Sequence, residues 1–255
     1  MYELSVIIIT KNESSNIRDC LNSLVGVANE VIVLDSGSID DTCKIASECG
    51  AKVVRRDDWR GFGVQKNRAL ELVEKDWVLS IDADERLSPE LNSEIKDVLS
   101  NPLVHCYLIP RKSWYCGRFI KHSGWRPDYV ARLFKKGAAS FSTNLVHEKL
   151  EYSGPTKKLN SNLIHYSFVD FSQVLAKMDA YSTHSAQQMY QAGRRAGILS
   201  AISHGLWSFF RTYFLKLGFL DGVQGFMLAV SNAQGSYYRY IKLWLLENEI
   251  KKNAD

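Results

Sequence analysis

The stretch W-V-L-S-I-D-A-D-E-R, from Trp77 to Arg86, places two carboxylates one residue apart where an apolar run ends. Val78 to Ile81 reads as a short buried strand, and Asp82 and Asp84, two apart in extended backbone, are expected to project to the same side. In open α/β sheets ligands bind beyond the carboxyl ends of the strands, where such a pair supplies half of an oxygen cage for a divalent metal. Solvated turn residues show the same spacing, so the surrounding segments decide between the two readings.

Leu4 to Ile9, Glu30 to Leu34, Lys52 to Arg55 and Trp77 to Ile81 are short runs rich in Val and Ile, separated by helix-compatible stretches at Ser14 to Leu24, Asp41 to Cys49 and Gly63 to Val73. This alternation predicts βαβαβαβ, a mostly parallel sheet covered by helices, which is the architecture of nucleotide binders. Asp40, Asp41 and Thr42 precede a helix that Gly50 closes as C-cap. Ser88-Pro89-Glu90 opens another, with serine as N-cap and proline in the first turn.

From about Asn101 the chain turns aromatic, Gly-rich and basic, and short strands and loops are expected. From about Asp170 to Glu249 it reads as helical again. Phe171, Val174, Leu175, Met178 and Tyr181 form an apolar stripe expected to be ordinary core. Between Ser203 and Trp244 the pattern differs, because Leu206, Trp207, Phe209, Phe210, Tyr213, Phe214, Leu217 and Phe219 surround the helix too densely for one buried face, with Arg211 and Lys216 interspersed. That composition suits the plane of a bilayer interface; a helical hairpin packed on the sheet domain is the other reading.

A chain of 255 residues is long enough for one large domain, or for a domain with a helical extension. Its net charge of +4 is far from the basic density of a dedicated nucleic-acid binder, and no nucleic-acid partner is expected. The basic residues nevertheless gather among aromatics in the C-terminal third, at Arg194, Arg195, Arg211, Lys216, Arg239, Lys242, Lys251 and Lys252, which points to an anionic surface. Five scattered cysteines without a C-x-x-C pair read as reduced thiols. With no secretory signal and no run of about 18 apolar residues evident, a cytoplasmic protein is expected.

Polar clusters close three of the runs: Thr10-Lys11-Asn12-Glu13, Asp35 to Thr42, and Asp82-Ala83-Asp84. Converging on one crevice, they would meet the needs of a nucleoside diphosphate, with Asp35 and Glu13 for base and ribose, and with magnesium or manganese on Asp84 and Asp82 against phosphate oxygens.

In that order and spacing, S-V-I-I-I-T-K-N-E, L-D-S-G-S-I-D-D-T, G-F-G-V-Q-K-N-R-A-L and D-A-D-E-R-L resemble family 2 glycosyltransferases of the GT-A fold. Further on, S-G-W-R-P-D-Y-V-A-R-L-F, V-H-E-K-L, I-H-Y-S-F and G-F-L-D-G-V-Q-G-F resemble the branch containing the lipopolysaccharide core glucosyltransferases of the WaaE/KdtX and LgtF type. The resemblance implies an α/β GT-A fold with a mostly parallel mixed sheet and a C-terminal helical extension. Residues 1–100 would bind the donor, 101–168 would form the acceptor-side half, and 169–255 would form the helical, membrane-associating extension. Many family members read D-D-G-S after the second strand; here Asp35-Ser36-Gly37-Ser38 keeps only the first acid.

Carried over by motif, Asp35 resembles the uracil-binding aspartate, Thr10, Asn12 and Glu13 the loop lining the nucleoside, and Asp82, Ala83 and Asp84 the metal and donor-sugar segment. Lys66 and Arg68 are candidates for the diphosphate, a solvated helix face being the alternative. Glu148 stands where related enzymes place the single base of an inverting transfer, with His147 beside it orienting the loop. His165 is a candidate to complete the metal shell, Arg132 to pair with the diphosphate or an acceptor phosphate, and Trp125 and Tyr115 to stack on acceptor sugars or simply to pack.

The expected activity is single-displacement transfer of glucose from UDP-glucose to a heptose of the lipopolysaccharide inner core, dependent on Mg2+ or Mn2+. A lipid-anchored acceptor and peripheral contact with the cytoplasmic face of the inner membrane go with it. Another UDP-sugar with a different glycolipid or capsular acceptor, and a membrane-surface binding protein without turnover, remain open. A nucleotidyltransferase would want a Gly-rich basic triphosphate loop, which Thr10 to Ser15 lacks.

Overall fold

The computed structural model describes residues 2–143 and 149–254, with side chains described as far as Asn248. In chain order the elements are β1 (Leu4–Thr10), α1 (Ile17–Asn22), β2 (Glu30–Asp35), α2 (Thr42–Glu48), β3 (Lys52–Arg55), α3 (Phe62–Glu71), β4 (Trp77–Asp82), β5 (Glu85–Leu87) and α4 (Pro89–Ser100). Then follow β6 (Cys106–Tyr115), β7 (Arg118–Phe119), β8 (Tyr129–Lys135), β9 (Ala139–Phe141), β10 (Leu150–Tyr152), β11 (Thr156–Lys158) and β12 (Leu163–Phe168). The helices α5 (Phe171–Gln191), α6 (Ile198–Phe210) and α7 (Gly222–Ala254) complete the chain, with a π-helical turn at Arg211–Leu215 and a 3-10 turn at Gly218–Asp221 between the last two.

Two compact units result, Met1–Lys112 with Asp128–His165, and Ser113–Pro127 with Tyr166–Asp255. The loop from Ser113 to Pro127 therefore belongs with the C-terminal helices, although it lies inside the expected acceptor-side half.

In the first unit β3, β2, β1 and β4 run parallel in that order, with β1 between β2 and β4. The Val and Ile runs are unbroken because parallel strands are covered on both faces. Leu4, Val6 and Ile8 pack on one side with Ile17, Cys20 and Leu21 of α1 and Leu91, Ile95 and Leu99 of α4. Ile7, Ile32 and Leu34 pack on the other with Ala69 of α3 and Val73. β8 joins β4 antiparallel, β6 joins β8 antiparallel, and β5 pairs antiparallel with β12, giving the expected mixed sheet. Ser88 accepts from the Leu91 N–H at 3.2 Å, so the predicted N-cap of α4 forms.

In the second unit the expected core stripe is corrected. On α5 the buried residues are Val174, Ser182 and Ala186, while Phe171, Leu175 and Tyr181 are exposed. Helices α6 and α7 likewise meet through small residues: a methyl group on Gly205 would lie 3.3 Å from the Ala233 carbonyl oxygen and from Tyr237 Cβ. The 3-10 turn is tighter still, because a methyl group on Gly225 would fall 1.9 Å from the Gly218 carbonyl oxygen. Asp221, wholly buried at the end of this turn, accepts from the backbone N–H groups of Lys121 and His122, each at 3.0 Å, and from Ser123 Oγ at 2.8 Å.

Backbone cannot yield as a flexible side chain does, so Gly225→Ala should destabilise the second unit by about 1–3 kcal/mol, the usual cost of overpacking. Chemical denaturation of parent and variant checks this, and unchanged stability would mean that the turn accommodates a side chain.

Candidate active site

The strand ends that the sequence marks as polar lie side by side in the first unit. The register pairs Thr10 of β1 with Asp35 of β2, and Ile9 with Asp82 of β4. With β2 and β3 on one flank of β1 and β4 on the other, the strand order reverses there, which opens a crevice beyond the carboxyl ends.

The loops after β1 and β2 are stitched to each other. The Asn12 N–H donates to Ser38 Oγ at 2.8 Å, the Glu13 N–H to Thr42 Oγ1 at 2.8 Å, and the Ile39 N–H to Asn12 Oδ1 at 2.9 Å. Asn12 holds φ +58°, the left-handed region that asparagine tolerates better than most residues. Asp40 accepts from the N–H groups of Ser14 and Thr42, each at 3.1 Å, and from Thr42 Oγ1 at 2.5 Å. The Thr42 hydroxyl is the main reason its pKa falls to about 2. Asp41, at the N-cap of α2, makes no capping bond; Asp40 closes this turn instead.

Asp35 is buried and heavily bonded. One carboxylate oxygen accepts from the N–H groups of Gly37 at 3.0 Å and Ser38 at 2.9 Å; the other accepts from Ser38 Oγ and from Thr10 Oγ1 at 3.3 Å. Burial works against its charge, but the donors from Ser38 and Gly37 outweigh burial and hold its pKa below the ordinary value. Gln65 of α3, also buried, ties the loop down by donating to Ser36 Oγ at 2.9 Å.

At the end of β4 charges alternate along a chain of contacts. Lys66 Nζ lies 3.2 Å from Asp82, Asp82 lies 2.5 Å from Arg132, Arg132 2.9 Å from Glu85, Glu85 3.6 Å from Arg111, and Arg111 2.8 Å from Asp128. Glu85 also accepts from the Asp82 N–H at 2.9 Å. Burial opposes the Asp82 charge, yet Arg132 and Lys66 hold its pKa well below the ordinary value; for Glu85 burial prevails and the pKa is raised.

Several expectations change accordingly. Asp82 and Asp84 are not two free ligands of one metal, because the oxygens of Asp82 face Lys66 and Arg132. Arg132 is not presented to a diphosphate, since it is buried with its guanidinium between two carboxylates. Arg68 makes a paired contact with Asp58 at 2.9 and 2.7 Å and also reaches Gln65. Lys66 is buried, so it is no solvated helix face. Ala83 is buried too, and its carbonyl accepts from Arg86 at 2.9 Å.

Asp84 lies past the strand end, with its Oδ2 3.4 Å from His165 Nε2. The β5–β12 pairing sets Glu85 opposite His165 and so delivers the imidazole. Burial and the nearby Asp84 and Asp40 charges raise the pKa of Glu13, against a hydrogen bond from Asn16. Among the described residues no three His, Cys, Asp or Glu side chains converge on a cation position. One carboxylate with one imidazole fits Mn2+, and the carboxylate alone fits Mg2+, either ion taking its remaining ligands from substrate phosphate and water.

In the second unit Tyr115 is fully buried, with its hydroxyl 3.3 Å from Ser231 Oγ and Trp125 and Phe168 packed edge-on against it. It is a core residue and is not placed to stack on a sugar. Trp125 is half-buried beside it, in the loop that Asp221 holds. Glu148 and His147 lie outside the described residues. Glu85, Arg111 and Asp128 are not among the expected site residues; for Glu85 the signal in the sequence is Leu87, two residues on in the same strand and buried on the same face.

Because the folded pKa of Asp40 lies below its unfolded value near 3.9, its stabilisation is present above about pH 4 and is lost as pH falls toward 2. Asp40→Ala should therefore be less stable than the parent at pH 7, with the gap closing between about pH 4 and pH 2. Denaturant unfolding across that range checks it, and a gap independent of pH would remove the charge from the explanation.

Residues 5–164 match the family model described as Glycosyl transferase family 2. An uncharacterized glycosyltransferase of Rickettsia conorii is 33% identical over 94% of this chain and 89% of its own length. The lipopolysaccharide core biosynthesis glycosyltransferase LpsC of Rhizobium meliloti is 28% identical over 94% of this chain and 92% of its own. S. aureus TarS superposes with a TM-score of 0.51 at 18% identity, over 68% of this chain and 38% of that one, a likeness of fold. Sequence, sheet order and crevice agree: the chain belongs to glycosyl transferase family 2, has the GT-A fold with a C-terminal helical part, and is a glycosyltransferase.

Proposed function

We propose that this chain is an inverting hexosyltransferase of the WaaE/KdtX and LgtF type, moving glucose from UDP-glucose onto a heptose of the lipopolysaccharide inner core. The observation that carries the reading is the Asp84–His165 pair at 3.4 Å, two strands from Asp35 across β1. The 28% identity with LpsC along nearly the whole chain supports the acceptor class.

In this reading Asp35 accepts from the uracil ring, and Thr10, Asn12 and Glu13 line the nucleoside. Asp84 and His165 would hold Mg2+ or Mn2+, which when bound would supply positive charge against the diphosphate. Asp82 acts indirectly, keeping Lys66 and Arg132 in place at the strand end. The acceptor hydroxyl loses its proton to Glu148 as it attacks the anomeric carbon from the face opposite the leaving group, so one carboxylate base suffices. Because the acceptor is lipid-anchored, the enzyme works as a peripheral protein at the cytoplasmic face of the inner membrane.

Incubation of UDP-sugars with extracted rough lipopolysaccharide, read by product mass and linkage, should give a heptose-linked glucose of inverted configuration. Turnover only with another donor or a capsular acceptor would reassign the substrates, and no turnover with any would leave a binding protein. Glu148→Gln should lower kcat by about 10²–10⁴-fold with donor affinity kept; full transfer would dismiss this base. Asp84→Asn and His165→Ala should each weaken metal-dependent UDP binding in calorimetry, and undiminished binding would dismiss the metal site.

A further inference from the structure

Helix α6 is inside out for a helix in water. Its small residues Ala201 and Gly205 are buried, while Leu199, Ile202, Leu206 and Phe210, three and four residues apart on one face, are 82%, 44%, 69% and 45% exposed. A soluble helix turns such a stripe inward. The exposed face continues past α6 through Phe214 and Leu217 to Val223 at the start of α7, itself 70% exposed.

The charges around this surface are of one sign. Between Asp179 and Glu247 the sequence holds one acid, Asp221, and that is buried with its oxygens bonded. Arg194, Arg195, Arg211 and Lys216 are exposed. A second copy of this chain, meeting the surface by two-fold symmetry, would set these cations against themselves. Acyl chains beneath anionic headgroups complement both features at once.

Helix α6 does not span a bilayer alone; taken together with the segment after it, it has the length and composition of a broken span or a re-entrant loop. α6 has 13 residues, about 20 Å of helix against an apolar bilayer core of about 30 Å. Among the described residues no single helix is long and apolar enough to cross a membrane, and the segments Ile198–Leu215 and Gly218–Asn248 are bent from each other by 70°.

We infer that the exposed face of α6 and the corner leading into α7 form a docking surface for one leaflet of an anionic bilayer, with the apolar stripe in the acyl boundary and Arg211 and Lys216 at the headgroups. This deepens the proposed membrane station by naming surface and lipid. It rests on the second unit alone, and its test involves no sugar chemistry, so either reading can fail without the other.

The full chain is floated with vesicles of phosphatidylcholine alone or mixed with phosphatidylglycerol. It should float with the mixed vesicles and bind plain phosphatidylcholine far more weakly. Leu199→Glu with Leu206→Glu, both outward-facing and so compatible with folding, should abolish flotation while circular dichroism and melting stay those of the parent. Arg211→Gln with Lys216→Gln should weaken binding on the order of 30-fold, at about fivefold per basic residue. Failure of the parent to float, or flotation unchanged by the glutamate pair, overturns the inference. Dimerisation without lipid that the glutamate pair abolishes would assign the face to a second copy instead.

Discussion

Arg132 holds two carboxylates at once, and the end of β4 is organised around that guanidinium. Without it the wholly buried Glu85 would lie beside a second carboxylate, and breaking a buried pair by removing one partner is far costlier than the pair is worth. Glu85 in turn holds the Asp82 amide, and its strand β5 sets His165 opposite it. The position of Asp84 against His165 thus depends on a charge chain that runs through Glu85, next to Asp84 in sequence and opposite His165 in the strand pairing. Lys66, Arg132 and Arg111 are set against the carboxyl groups of Asp82, Glu85 and Asp128, so each cation of the chain has an acid beside it.

The parallel strands were legible because burial on both faces forces unbroken Val and Ile runs, and the three polar strand ends were legible because each breaks such a run. The roles of Asp82 and Asp84 were not. Spacing of two assumes extended backbone, but β4 ends at Asp82 and Asp84 stands in the turn after it, and the cations that claim Asp82 come from α3 and from β8, the latter 50 residues away. Only the pairing of β4 with β8 brings Arg132 there. His165 was legible through its motif, and the β5–β12 register that delivers it was not.

The C-terminal helices were misread on α5 for a different reason. The rule that a large apolar stripe faces inward assumes water on the other side. In the second unit Ala186, Ala201 and Gly205 face inward, while Phe171, Leu175 and Tyr181 of α5 and Leu199, Leu206 and Phe210 of α6 are left outside. Small residues let helix backbones approach closely, as they do where the surroundings are apolar. The excess of aromatics between Ser203 and Trp244 is a better guide to exposure than the stripe on α5, because an excess too dense for one face leaves large side chains outside whichever face is buried.

Asp35 shows how far a retained acid is from a free one. A carboxylate has about four acceptor positions, and here Gly37, Ser38 twice and Thr10 already donate to it, with the Cys43 thiol adding to them. A base N–H can be read by this carboxylate only if one donor withdraws. The two backbone N–H groups are fixed by the turn, and the Ser38 hydroxyl also accepts from Asn12, so moving it would loosen the neighbouring loop. The Thr10 hydroxyl, at 3.3 Å, makes the longest of these bonds and rotates about a single torsion. Base recognition at Asp35 would thus exchange one hydroxyl for one ring N–H. Such an exchange leaves the number of bonds unchanged, so this contact would add selectivity for the base more than affinity.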